Sequence, residues 1–535
     1  MTAEYDLPDA ERHPYAWGNA GTPGTLPQAA LGALAALGAV PTAPPIPPAE
    51  ADLPPCALPA AALTDLTDAL GADQVSTAHA TRVGHTRGYS TPDLLKLRDG
   101  DARDAPDAVL YPGTHDEVVA VLEICTRHRV AVVPYAGGTS VVGGLTPDRT
   151  GFAGVVALDI RRLDRLVSVD EVSHTAVLQT GLRGVVAERL LGEQGWTLGH
   201  FPQSYEMASI GGYAAARSAG QSSAGYGRFD EMVVGLTVAT PRGTLTLGTA
   251  PRGAAGPDLR QLVLGSEGAF GVITSVTVRV RPAPQVRVFE GWTFPSFTAG
   301  ATALRALAQD GPLPTVLRLS DEVETAVNLA DPDAALTGPG SGGCLMITGY
   351  EGTKDTVART RDAATERLRA LGGEPQGHEP GEAWRAGRFR GPYLRDPLLD
   401  AGALVETLET ATFWSNVEAL KTAVSTAVEG ALTEQGTPGL VMCHISHVYE
   451  TGASLYFTVV CGRSQDPLAQ WAKAKEAANT AIRACGATIS HHHGVGRDHR
   501  ETLARELGPI GVDLLRAVKA SLDPAGILNP GILVG

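Results

Sequence analysis

The chain has few cysteines, and none are paired for chemistry. Cys56, Cys125, Cys344, Cys443, Cys461 and Cys485 are scattered through 535 residues with no C-x-x-C among them. That pattern argues against a disulfide framework and a cysteine zinc site, and it fits a reducing cytoplasm. Positive charge is in deficit: 43 Lys and Arg stand against 58 Asp and Glu, a formal charge of −15. Neither a nucleic-acid coat nor a polybasic membrane anchor is built this way. Long hydrophobic runs are also missing. The longest near the N-terminus, Ala29 to Val40, is too short to span a bilayer and follows acidic residues rather than a basic segment, so it reads as a helix and not as a signal. The glycine segments Pro134–Ser140, Pro202–Ser218 and Gly265–Gly271 are neither G-x-G-x-x-G fingerprints nor Walker loops, which leaves nicotinamide and ATP readings weak.

What is present is length enough for two large domains and a terminal extension. After the first helix, Pro41 to Pro55 is dense in proline and predicts an extended, semi-rigid connector. From about Ala105 strands and helices alternate. Thr114-His115-Asp116-Glu117 reads as a capping box ahead of Val118, Val121, Leu122 and Cys125 on one helical face. Val130 to Val133 then forms a short strand, and further strands are expected at Val155 to Ile160, Leu166 to Val169, Ala176 to Thr180, Val233 to Thr240 and Val272 to Val280. In the last of these Val276, Val278 and Val280 alternate with Thr277 and Arg279, as a half-buried strand requires. Pro241-Arg242-Gly243 supplies a tight turn, and Arg281-Pro282-Ala283-Pro284 a boundary. The expected plan is α+β: an extension over 1–95, a mixed domain over 96–284, a second domain over 285–490, and a segment over 491–535 that returns to the first.

Three glycine-bearing segments mark the first domain. They are Pro134-Tyr135-Ala136-Gly137-Gly138-Thr139-Ser140, the stretch Pro202 to Ser218 with Gly211-Gly212 inside it, and Gly265-Ser266-Glu267-Gly268-Ala269-Phe270-Gly271. Glycine allows close backbone approach to a ligand, and Thr139, Ser140, Ser209 and Ser266 add hydroxyl donors suited to a pyrophosphate or a ring carbonyl. One such segment is as easily an ordinary turn. Three in one domain, the first at the end of a strand, point to a phosphate-bearing cofactor.

In sequence the stretches Pro134–Ser140, Gly199–Gly220, Tyr226–Gly243 and Leu262–Pro282 resemble the FAD domain (PCMH type) of the vanillyl-alcohol-oxidase superfamily. More narrowly, the chain is similar to the alkyldihydroxyacetonephosphate synthase family, from about Trp17-Gly18 to the stretch Leu522–Leu533 (LDPAGILNPGIL). The resemblance implies an FAD domain with a separate substrate (cap) domain. It implies cofactor contacts in Pro134–Ser140, in Pro202-Gln203-Ser204-Tyr205-Glu206-Met207-Ala208-Ser209, at Gly212, in Ala215-Ala216-Arg217-Ser218 and in Gly265–Gly271. Some members of the superfamily attach FAD to a histidine in the first loop. Here Ala136 precedes Gly137-Gly138, so noncovalent FAD is expected.

Near the C-terminus stands Ser490-His491-His492-His493-Gly494-Val495-Gly496. Imidazoles titrate near neutrality and suit proton transfer, while a metal site and a solvated run are the blander readings. In an extended segment His491 and His493 would share one side and His492 the other, so the three would not converge on one ion, and no metal is expected. The family resemblance assigns the active-site base to this stretch, with His492 as the base and His491 and His493 orienting it. It further implies Tyr456 as a catalytic tyrosine, Arg395 as an active-site and substrate-binding arginine, and Arg318 as a second arginine. His200 matches a family histidine, although the acid that follows it in the family is Phe201 here, and His444 stands where the family has an arginine. A planar guanidinium suits a phosphate monoester.

The implied reaction replaces the acyl group of an acyl-dihydroxyacetone phosphate with a fatty alcohol, as in ether-lipid synthesis, with flavin as an electron sink. The alternative is an FAD-linked oxidase or dehydrogenase of a 2-hydroxy acid or another alcohol. Metal-dependent members of that group carry a G-D-G-N-L-H string ahead of E-H-G; here Tyr456 replaces the terminal histidine and His492 the acid. A cytoplasmic homodimer touching membranes peripherally, with lipid-like substrates and no nucleic acid, completes the expectation.

Overall fold

A computed structural model describes residues 13, 15–18, 25–26, 28–329 and 343–534. The first apolar run forms the helix Gln28–Ala36, and the proline-dense stretch after it is extended apart from a short 3-10 turn at Pro48–Glu50. Thr114 caps the helix His115–His128 by accepting the N–H of Glu117 at 3.1 Å. The reciprocal bond of a capping box falls one residue early, because the Glu117 carboxylate accepts the N–H of Gly113 at 2.6 Å.

Three main sheets organise the chain. The first has the order Val75–Ser76, Ala108–Leu110, Gly154–Asp159, Val130–Tyr135, with the last three strands parallel. Its edge strand runs two residues past the expected Val133. Pro134 is tolerated there because an edge strand can do without one N–H. Against this edge lies the C-terminal segment: Val132 donates to Ile527, Asn529 donates back to Val132, and Leu528 forms a parallel bridge with Val132. The second sheet is antiparallel, in the order Leu166–Asp170, Thr175–Gln179, Val272–Arg279, Val233–Thr240, Gly243–Leu247. Val276, Val278 and Val280 are buried in it as the alternation requires.

The third sheet carries the cap. Seven antiparallel strands follow the order Glu374–Gly377, Val286–Phe294, Cys344–Gly352, Val316–Ser320, Gly439–Ile445, Gly452–Gly462, Ala403–Phe413. Alternation divides its two faces. Leu317, Leu319, Cys443, Ile445, Leu455, Phe457 and Leu408 pack in one core with residues of the long helices Phe297–Asp310, Lys354–Ala370, Val417–Glu434 and Pro467–Ala484. Arg318, His444, Tyr456 and Glu409 therefore fall on the opposite face.

The described residues before residue 96 do not form a unit of their own. Helix Ala60–Leu70 buries Ala62, Leu66 and Leu70 in the first domain's core, and Val75–Ser76 joins that domain's sheet. Helix Gln28–Ala36 instead places Leu34 among Ala403, Val405 and Val460 of the cap. Among the described residues no helix is long and apolar enough to cross a membrane.

Candidate active site

The site is built on one row of the cap sheet. Register places Glu409 opposite Tyr456 and Tyr456 opposite His444, so three polar side chains stand side by side on neighbouring strands. The His444 ring stacks on Tyr456 with centroids 4.8 Å apart. Behind it the Glu324 carboxylate lies between the Arg318 guanidinium at 2.6 Å and the His444 ring at 3.0 Å. Burial works to raise the Glu324 carboxyl, but His444 and Arg318 outweigh it and hold it down to about 2. Arg318 is thereby engaged within the protein on this side.

Over the row runs the histidine segment. It enters through a bridge between Thr488 and Ala411, then bends at residues 491–493 rather than continuing as a strand. This changes the expected placement of the rings. His491 and His492 turn toward each other, their Nδ1 atoms 2.9 Å apart, and join His447, so that one nitrogen from each ring lies within 4.8 Å of the others. His493 points elsewhere, edge-on to Tyr456 at 5.6 Å. Three imidazoles at this separation, two buried and one half-buried, could hold a transition-metal ion. Here, however, both nitrogens of His491 are engaged by protein groups, since its Nε2 shares a 2.6 Å hydrogen bond with the Tyr449 hydroxyl. The Ser223 hydroxyl holds His447 Nδ1 at 2.7 Å.

His492 lies nearly parallel to Tyr456, centroids 6.1 Å apart, and its Nδ1 stands 3.5 Å from Glu409. Burial lowers its proton affinity and the Glu409 charge partly restores it, so the ring is neutral at pH 7. Among the described residues its Nε2 has no hydrogen-bond partner. Burial also depresses His493 and His200 to about 3. His200 sits further back, sharing a 3.1 Å bond with Ser218 and packed against Tyr213 and Phe229. Burial likewise raises the Tyr456 hydroxyl to about 12, which keeps it protonated. Arg395 donates from Nη1 to the Tyr89 carbonyl, and its buried Nε has no partner among the described residues.

The three glycine segments converge, as their order suggests. A Cβ on Gly137 would meet the Met207 carbonyl at 2.5 Å, and one on Gly268 would meet Pro134 at 2.7 Å, so the first segment is packed between the other two. Gly138 has φ +66°. Among the described residues, the N–H groups of Gly137, Gly138, Thr139 and Ser140 have no acceptor within the protein. A run of free amides on a glycine turn suits a pyrophosphate. Ser209 caps helix Ile210–Ala216 through the N–H of Gly212. The side chains of Gln203 and Glu206 reach the cap, at the Arg388 carbonyl and the Tyr393 hydroxyl. Arg217 braces the third segment through Leu264 and Gln261. These three side chains join parts of the protein.

Sequence reasoning missed Glu409, His447 and Tyr449. The one available signal was the pair of acids Glu406 and Glu409 within the Ala403–Phe413 strand, where a buried charge persists only with partners.

Comparison with known proteins places this geometry. Residues 106–248 match the family model "FAD binding domain" and residues 283–533 the model "FAD linked oxidases, C-terminal domain". An alkyldihydroxyacetonephosphate synthase from Trypanosoma brucei brucei is 32% identical over 502 residues, covering 90% of this chain and 82% of its own length. One from Dictyostelium discoideum is 32% identical over 482 residues, covering 86% of this chain and 79% of its own. A solved structure of an alkyldihydroxyacetonephosphate synthase superposes with a TM-score of 0.80 at 28% identity, over 97% of this chain and 98% of that one.

Proposed function

Because this chain belongs to the alkyldihydroxyacetonephosphate synthase family, we propose that it uses FAD to exchange the acyl group of an acyl-dihydroxyacetone phosphate for a fatty alcohol. The observation that carries the mechanism is the neutral His492 with its Nε2 unengaged, above a tyrosine and beside the cofactor loops. A buried imidazole that is already unprotonated at pH 7 is ready to take a proton.

In this reading His492 Nε2 removes a proton from the carbon that bears the ester. Tyr456, protonated and stacked between His444 and His492, fixes the ring plane of the base. Arg395 offers its guanidinium to the phosphate, in the bidentate geometry that phosphate favours. The free amides from Gly137 to Ser140 would hold FAD, which when bound would supply an electron-poor ring able to hold and return the electron pair left on carbon. The carboxylate leaves with the C–O pair, the alcohol oxygen makes the new C–O bond as its own proton is lost, and a proton returns from His492 to the carbon, so the exchange involves no net oxidation.

The test is isotopic. With an acyl-dihydroxyacetone phosphate in deuterated water, the enzyme should wash substrate hydrogen into solvent without an external oxidant. Absence of washout, together with anaerobic bleaching of the flavin by a 2-hydroxy acid, would transfer the assignment to a dehydrogenase. A second expectation concerns attachment. Ala136, at the position where some relatives in the superfamily carry a linking histidine, packs partly buried against the first domain's core, so acid precipitation should leave the yellow chromophore in the supernatant. Colour in the washed pellet would mean a covalent link.

A further inference from the structure

Residues 490–496 carry three histidines yet form neither helix nor strand, so their backbone donors need partners from outside the segment. They find two buried carboxylates. Glu409 accepts the N–H groups of His491 at 2.7 Å, His492 at 3.2 Å and His493 at 3.0 Å, and also the Ser490 hydroxyl at 2.7 Å. Glu267, from the third glycine turn of the first domain, accepts those of Val495 at 2.8 Å and Gly496 at 2.9 Å. Each domain thus contributes one acid to the same loop. The curvature this demands is visible in the backbone: Gly494 has φ +90° and Gly496 φ +52°, and a Cβ on Gly494 would lie 2.8 Å from the Glu267 carboxylate. Consecutive amides folded into a concave cup are an anion site, and here the ionised Glu409 carboxylate fills it, while burial pushes the Glu267 carboxyl up to about 7.

We infer that Glu409 is a positioning residue for the base at His492, and that Glu267 is its counterpart, tying the same loop to the cofactor-binding turn. The inference rests on the reading of His492 given above. Its physical basis is that the Glu409 charge is satisfied by amide donors that leave the imidazole ring one orientation over Tyr456. Burial works to raise the Glu409 carboxyl; His492, His493, the Ser490 hydroxyl and the amides outweigh it and keep it ionised. The groups facing His492 are Glu409 and Tyr456 from the cap sheet, His444 and His447 from the adjoining strand and its loop, Arg228 and His200 from the first domain, and the neighbours His491 and His493. Glu409 is the carboxylate among them. Without it burial, Arg228 and His444 act on His492 with no facing carboxylate to offset them, and His492 holds a proton less readily.

Two measurements on the FAD-loaded protein test this. In wild type, hydrogen–deuterium exchange of a peptide spanning 490–496 should be at least about 100-fold slower than for an unstructured segment, because the amides are bonded and buried. Exchange at the rate of a free loop would overturn the inference whatever the substrate proves to be, whereas failure of substrate washout would remove only the family reaction. In Glu409→Gln, flavin content and KM should hold while kcat falls about 10²-fold, less than the ~10⁴ known where a carboxylate bonds a catalytic histidine directly. The acidic limb of its pH–rate profile should also move to lower pH, which a purely structural role would not cause. An unchanged kcat and profile would overturn the positioning role, and if the variant does not fold, the wild-type exchange result decides.

Discussion

Replacement of His492 by alanine should leave a folded, yellow protein whose turnover is lower by about 10²–10⁴-fold, the usual cost of removing a general base. Flavin should stay because Glu409 also holds the backbone N–H of His492, which alanine keeps, and the neighbouring amides remain bonded. Substrate hydrogen should no longer wash into deuterated water. In wild type the pH dependence follows from the direction of the shift. Burial lowers the His492 pKa below 6.5 and Glu409 offsets only part of this, so the basic form persists as pH falls through 6.5, and the acidic limb of the rate profile should lie below that point. Normal washout in the alanine variant would remove His492 from the role. A wild-type limb above 6.5 would mean that the titrating group is another one.

The second large effect is expected at Gly138. Its φ of +66° is a conformation that costs a residue with a Cβ about 1–2 kcal/mol, more for a branched one. The greater penalty falls on binding, since Gly138→Val would set two methyl groups beside the run of free amides from Gly137 to Ser140. The purified variant should be colourless, with a far-ultraviolet circular dichroism spectrum like that of wild type. Full FAD occupancy would show that the pyrophosphate lies elsewhere.

Much of the fold could be read in advance because it follows short-range rules. The alternation of Val276, Val278 and Val280 set a buried face, and the cap at Thr114 set a helix start. The glycine segments were legible because glycine is chosen for backbone reasons that act locally. The arrangement of the histidines was not. Period-two alternation applies to strands, and the segment bends because Glu409, more than eighty residues earlier in sequence, holds three successive amides. Glu409, His447 and Tyr449 are recruited by tertiary pairing, which leaves no trace in local pattern. The same holds for the chain before residue 96, whose helices are divided between two domains by contacts that its own composition does not specify.

The C-terminal segment that lies along Val130–Tyr135 has a bearing on time as well as on shape. Asn529 extends its amide to the carbonyls of Gly144 and Glu267, joining the first glycine loop region to the third. On a ribosome those two loops emerge hundreds of residues before the strand that couples them. Until that segment is made, the first domain's sheet edge at Val132 is uncovered and its two glycine loops are uncoupled.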